Sequence, residues 1–212
     1  MKIQLQDVLP EGILENRPED TVWNDEIEID TGRNYLIRGA SGRGKSTFLH
    51  LLLGIRRNYK GTILFDAENI QTFSSNYWAA LRQNTLAMVF QDLRLLDGLT
   101  ARENLLLKIR LSESSQTTQI ETLAQRVGIQ EQLDKPCRLL SYGQQQRLAL
   151  LRALLQPFQT LLLDEPFSHL DPVNIENCLG LIHETCQERG AGILLATLED
   201  DYELDFELEL RV

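Results

Sequence analysis

Cysteine is scarce, with three in 212 residues, and Cys137, Cys178 and Cys186 show no metal-ligand spacing. A disulfide-built secreted scaffold is excluded, and a reducing compartment is the simplest reading. Cys178 and Cys186 fall on one expected helix, as small packing residues. No apolar run is long enough to span a bilayer. The opening residues Met1-Lys2-Ile3-Gln4-Leu5-Gln6 alternate like an edge strand and hold no signal-peptide core. A membrane role is therefore expected to be peripheral or carried by a partner. Basic residues are outnumbered, 21 Lys and Arg against 31 Asp and Glu, for a net charge of −10. That balance argues against a broad nucleic-acid-binding face. It leaves open a small anion held by a local nest of backbone N–H groups. No repeat or low-complexity tract appears. At 42% hydrophobic and 25% charged residues the chain has material for a core. Its length suits one large domain, or one domain with an inserted lobe.

What is present centres on Gly39-Ala40-Ser41-Gly42-Arg43-Gly44-Lys45-Ser46-Thr47. The apolar run Tyr35-Leu36-Ile37 before it reads as a buried strand, and Phe48-Leu49-His50-Leu51-Leu52-Leu53 after it as a helix. Strand, glycine-rich turn and helix are the context of a phosphate-binding loop. Gly39, Gly42 and Gly44 let the backbone curl so that its N–H groups point inward at phosphate oxygens. The helix behind adds its positive end. Lys45 reaches the outer phosphates, and the Ser46 hydroxyl suits a magnesium ion. A tight turn with a solvated lysine is the competing reading.

Around this loop the pattern is α/β. Ile3, Leu5 and Val8, then Ile27 and Ile29, alternate as a small β region, with turns at Pro10-Glu11-Gly12 and at 16–20. Asn58-Tyr59-Lys60-Gly61 reads as a break and Thr62-Ile63-Leu64-Phe65-Asp66 as a hairpin-edge strand. A short helix is expected over 76–83 and a buried strand at Leu86-Ala87-Met88-Val89-Phe90. Thr100 and Glu103 form a capping box that opens a helix striped by Leu105, Leu106 and Ile109. A polar loop at 112–118 leads to a second helix closed by Gly128. Helices here, with strands on both sides in sequence, indicate a helical lobe inserted into the α/β core. Ser141 caps a further helix, and Pro157 marks its end. Leu161-Leu162-Leu163 is a buried strand, 173–188 a helix, and Ile193-Leu194-Leu195-Ala196-Thr197 the next strand. Residues 202–210 alternate as a terminal strand with one wet face.

Asp164 and Glu165 end an apolar strand. A carboxylate there suits the magnesium shell opposite Ser46, and a second one orients or deprotonates a water facing the terminal phosphate. Successive strand residues point to opposite faces. The strand must therefore end and curve at Glu165 if both carboxylates serve one site. A solvated strand end is the alternative. Gln91 closes another buried strand, where its amide is within reach of both magnesium and the attacking water; polar surface is the commoner reading for glutamine at a strand end.

Leu140-Ser141-Tyr142-Gly143-Gln144-Gln145-Gln146-Arg147 resembles the Leu-Ser-Gly-Gly-Gln signature of the ABC-type ATPases, the nucleotide-binding subunits of ATP-binding-cassette transporters. The order of phosphate loop, Gln91, signature, Asp164-Glu165 and Ser168-His169-Leu170-Asp171 matches over nearly the whole chain. Val89-Phe90-Gln91-Asp92-Leu93-Arg94-Leu95-Leu96 and Leu99-Thr100-Ala101-Arg102-Glu103-Asn104 look most like the lipoprotein-release, cell-division and macrolide-export branch. The resemblance implies a P-loop NTPase core with an antiparallel β region and an inserted helical lobe. The core's first part and β region would span 1–98, the lobe 99–140, and the signature helix and return to the core 141–212. It implies ATP and Mg2+ as cofactors and a homodimer sandwiching two ATP molecules head to tail. Gly39, Ser41, Gly42, Gly44, Lys45, Ser46 and Thr47 would hold nucleotide. Ser46, Gln91 and Asp164 would hold metal, with Glu165 and Gln91 catalytic. Ser141 and Gly143 would cap the terminal phosphate of the other copy, and Asp171, also a helix cap before Pro172, would lie in the interface loop. A separate integral-membrane permease would dock near Leu95, Leu96 and Leu99, placing the chain in the cytoplasm, peripheral on the inner face of the cell membrane, with no nucleic acid partner.

Three departures from the pattern stand out. Tyr142 replaces a signature glycine, at a cost if the position needs a positive φ. Leu198 stands where the family has a histidine, implying slow hydrolysis, while His169, His50 and His183 read as structural. No aromatic for adenine stacking occurs in residues 9–14, and Trp23 reads as packing. The helix usual after the histidine position is not expected here. The expected function is an ATP-hydrolysing subunit driving a permease; a nucleotide-gated subunit with little hydrolysis is the second reading. A DNA-repair or chromosome-organising ATPase lacks its coiled coil or basic face here, and a small-molecule kinase lacks a signature.

Overall fold

The computed structural model describes residues 1–12, 21–23, 26–111, 119–198, 202 and 204–212. The segments at 16–20 and 112–118, and part of the stretch after Leu198, lie outside the described residues. So does part of the 9–14 window.

The chain forms two sheets. β1 (Lys2–Pro10), β2 (Ile27–Asp30), β4 (Tyr59–Phe65) and β5 (Glu68–Asn69) make an antiparallel sheet in the order β2-β1-β4-β5. β3 (Tyr35–Arg38), β6 (Leu86–Val89), β7 (Thr160–Asp164), β8 (Gly192–Thr197) and β9 (Leu208–Arg211) make a parallel sheet in the order β6-β7-β8-β3-β9. The expected α/β class and antiparallel β region are both found.

Except at its edge strand β9, the parallel sheet is buried on both faces, so β6, β7 and β8 carry continuous apolar runs rather than alternation. Leu161, Leu163, Ile193 and Leu195 point into one core cluster. Leu162, Leu194, Ile37 and Ala196 point into the other. The first cluster is covered by α3 (Ala101–Leu111), α4 (Ile120–Arg126), α5 (Tyr142–Leu154) and α6 (Pro172–Arg189). The second is covered by α1 (Lys45–Leu52), α2 (Ser75–Asn84) and the antiparallel sheet. Trp23 is buried there, its ring edge-on to Phe48 at 5.9 Å, so it packs the core. The three cysteines are free and buried.

The expected caps form. Thr100 N donates to Glu103 Oε2 at 2.7 Å while Glu103 N donates to Thr100 Oγ1 at 3.1 Å. Ser141 and Gln144 make the same reciprocal pair at the start of α5. Three expectations are corrected. Tyr59, Lys60 and Gly61 belong to a strand, not a break, because Tyr59 and Lys60 pair with Pro10 and Leu9 beyond a bulge in β1. β4 is therefore interior to its sheet, although its hairpin with β5 does form. The terminal strand is Leu208–Arg211 alone, parallel to β3 at the sheet edge, with Leu210 buried and Leu208 exposed.

Candidate functional site

The loop between β3 and α1 has the curl its glycines allow. Gly42 and Gly44 take φ of 78° and 116°, values that disfavour any residue with a Cβ. Gly44 ends the loop without a side-chain cap on α1, leaving the first-turn N–H groups to another partner. Lys45 folds back, its Nζ donating to the Gly39 carbonyl at 2.8 Å. It is 5% exposed, which is rare for a lysine without an anionic partner. That partner is Glu165, with Oε1 3.3 Å from Nζ.

β7 delivers both carboxylates to this loop. Asp164 is its last residue and takes a hydrogen bond from Ser46 Oγ at 3.1 Å. Burial pushes the Asp164 carboxyl up to about 6. The Ser46 hydrogen bond opposes that rise, and the charge of Glu165 adds to it. Glu165 leaves the strand with φ of 48°, its N–H donating to the Ala196 carbonyl at 2.9 Å. The curve required for both carboxylates to face one point is thus built into the backbone at Glu165. Gln91 Nε2 donates to Glu165 Oε2 at 3.4 Å.

A cavity is lined by Ser41, Gly42, Gly44, Lys45, Ser46 and Thr47, together with Gln91 and Glu165. Gly12 and Arg56 line it too; Gly12 was expected only as a turn residue, and Arg56 was not singled out in the sequence. Arg56 donates to Thr47 Oγ1 at 3.0 Å and to the Glu11 carbonyl. No local motif flags it, since the contact depends on α1 returning the chain beside β1.

Ser141, Gly143 and Asp171 are not among the residues lining this cavity. They gather at a second place, where the starts of α5 and α6 meet. Ser141 Oγ accepts from Gln144 N at 3.3 Å. A Cβ on Gly143 would come within 3.2 Å of the His169 carbonyl, so the site admits nothing larger without a shift. Gln146 grips the intervening loop, donating to Ser168 Oγ at 3.1 Å and accepting from His169 N at 3.2 Å. Asp171 caps α6 through Asn174 N at 2.9 Å, and that bond holds its carboxyl below the usual range. Tyr142 sits in the first turn of α5 and is absent from the residues with positive φ, so it carries no backbone strain. Leu198 follows β8 and is 49% exposed.

A glycine turn between strand and helix, a buried lysine and a serine facing an acidic strand end define an α/β protein with a P-loop NTPase core. The ABC transporter family matches over residues 23–168, and the chain belongs to that family. It is accordingly an ATP-binding and ATP-hydrolysing subunit that works with a membrane permease, and its family uses ATP with magnesium. Among its relatives, the thiamine import ATP-binding protein ThiQ of Vibrio vulnificus is 38% identical over 175 residues, 81% of this chain and 72% of that protein. The lipoprotein-releasing system ATP-binding protein LolD 1 of Caulobacter vibrioides is 34% identical over 197 residues, 90% of this chain and 84% of that protein. A dimeric structure of a bacterial ABC transporter cassette shares the fold at a TM-score of 0.82 and 22% identity, covering 99% of this chain and 94% of that one. The relatives thus spread over several branches of the family rather than the single branch expected. No helix among the described residues is long and apolar enough to cross a membrane.

Proposed function

We propose that the chain is the ATP-driven half of a transport complex, acting as a homodimer on a separately encoded permease. The observation that carries this reading is that Lys45, Ser46, Gln91 and Glu165, brought from three separate strand ends, line one cavity, with Asp164 buried behind Ser46 and bonded to its hydroxyl. Gly39, Ser41, Gly42, Gly44, Lys45 and Thr47 hold the phosphates through N–H groups and one ammonium. Ser46, Asp164 and Gln91 supply the oxygens that magnesium takes, and a buried carboxyl with a raised pKa beside a hydroxyl fits a cation. Bound there, the cation would draw charge off the phosphates. Glu165 and Gln91 orient the attacking water. Ser141 and Gly143 close over the nucleotide of the second copy, and Asp171 lies in the interface. Support comes from their separation from the cavity within one chain and from the dimeric form of the similar cassette. The chain divides at 98 and 140, with 99–140 as the inserted lobe.

The permease docks on the inner face of the membrane in an apolar groove between lobe and core, lined by Phe90, Arg94, Leu96, Leu107 and Leu111. Leu95 packs against the core instead. The lipoprotein-release branch is supported by the relative matching 90% of this chain, and thiamine import by relatives of higher identity over a shorter span. Recovery of the permease from mild membrane extracts decides between them. Hydrolysis is slow, because Leu198 offers no hydrogen bond to a terminal phosphate. That exposed leucine also favours the second reading, an ATP-gated subunit with little turnover.

The test is nucleotide binding and light scattering on the Glu165→Gln protein with magnesium and ATP. Binding with a shift from monomer to dimer is the expected result. No nucleotide binding would overturn both readings. Steady-state phosphate release from the unaltered protein separates motor from gate.

A further inference from the structure

Helix α5 grips the segment after β6 at both of its ends. At the start, the Tyr142 hydroxyl donates to the Gln91 carbonyl at 3.1 Å. Near the finish, Arg152 donates to the Leu93 and Arg94 carbonyls, each at 2.6 Å. The gripped segment is strained. Leu93 and Arg94 stand in succession at φ of 57° and 47°, where residues with a Cβ are uncommon. Such a conformation persists only when its surroundings hold it. Arg94 adds a hold of its own, its guanidinium 3.9 Å from the centre of the Phe90 ring. Gln91, at the front of the segment, reaches Glu165 with its side chain while its main chain is held by Tyr142. The Tyr142 ring, 44% exposed, stands edge-on to His169 at 4.4 Å.

We propose that Tyr142 is a positioning residue. Its hydroxyl pins the Gln91 main chain so that the Gln91 amide stays on Glu165, with Arg152 as the fixed far end of the clasp. A glycine at 142 has nothing to reach Gln91, and a phenylalanine has the ring without the donor. The clasp is therefore a feature this chain adds where its signature departs from glycine. The consequence for turnover rests on the roles proposed above for Gln91 and Glu165; the clasp itself does not.

The test is hydrogen exchange on the nucleotide-free protein, comparing the parent with Tyr142→Phe, which keeps the ring and removes the donor. The Leu93 and Arg94 amides are bonded to the Phe90 and Asp92 carbonyls and report on the segment. Losing one hydrogen bond predicts about fivefold faster exchange there, with the thermal midpoint little changed. Turnover should fall about fivefold with nucleotide affinity unchanged, and the Tyr142→Phe effect should vanish in a Gln91→Ala background. Unchanged exchange overturns the clasp. So does a silent Tyr142→Phe beside a defective Tyr142→Gly, because that pattern assigns the role to the ring. Faster exchange with unaltered turnover, or an equal loss in both backgrounds, overturns the positioning role. A parent protein without turnover counts against the hydrolytic reading alone and leaves exchange to decide the clasp.

Discussion

Ser46 and Asp164 lie 118 residues apart in the chain, yet the serine hydroxyl donates to the aspartate carboxylate at 3.1 Å. This contact joins the helix after the phosphate loop to the end of β7, and it partly offsets the rise that burial imposes on the Asp164 carboxyl.

Asp164 is 1% exposed and its carboxyl is raised from 3.8 to about 6. The folded chain therefore holds this proton more tightly than the unfolded chain. Between about pH 4 and pH 6 that difference makes stability fall as pH rises, and above about 6 the full penalty of roughly 3 kcal/mol applies. Asp164→Asn removes the charge and keeps the shape. The variant without nucleotide should melt above the parent at pH 7.5, and the gap should close toward pH 4. Thermal denaturation across that range checks it. Magnesium-dependent nucleotide binding should be lost in the same variant.

Lys45→Ala removes the cation that faces Glu165 and, in the proposed site, the phosphates. Charge-assisted hydrogen bonds of this kind correspond to about thirtyfold in affinity. Calorimetric titration with ATP should show a loss of that order.

Arg56→Ala removes the second cation in the cavity wall and frees the Thr47 hydroxyl. ATP affinity should fall about tenfold, less than for Lys45→Ala, since Arg56 is half-exposed and already bonded to the Glu11 carbonyl. Titration with tripolyphosphate beside ATP shows whether the loss is on the phosphate side.

Leu198→His supplies a hydrogen-bond donor after β8, beside the strand that carries Asp164. Steady-state phosphate release should rise about tenfold or more. No gain would place the slow step elsewhere.

Much of the site was legible because its signals are local. The phosphate loop, the Thr100–Glu103 and Ser141–Gln144 caps and the apolar runs of β6, β7 and β8 each specify their structure within a few residues. The need for a bend at Glu165 followed from strand geometry, and the backbone supplies it at φ of 48°. Other features depend on distant partners. Asp7 takes φ of 51° in the β1 bulge with no glycine to announce it, and the bulge sets the pairing that makes Tyr59 and Lys60 strand. Arg56 enters the cavity through tertiary placement alone. The alternation of 202–210 suggested a longer strand, but the pairing register with β3 begins only at Leu208.

The pairing of β9 with β3 bears on how the protein is made. Arg38 immediately precedes the phosphate loop and binds Glu209, 171 residues later. The Val212 N–H donates to the Arg38 carbonyl at 2.9 Å, and its side chain crowds Gly39. On the ribosome, one flank of the loop stays bare until that distant strand emerges. Until it pairs, β3 would present an open sheet edge directly beside the phosphate loop, the kind of edge that pairs with other chains.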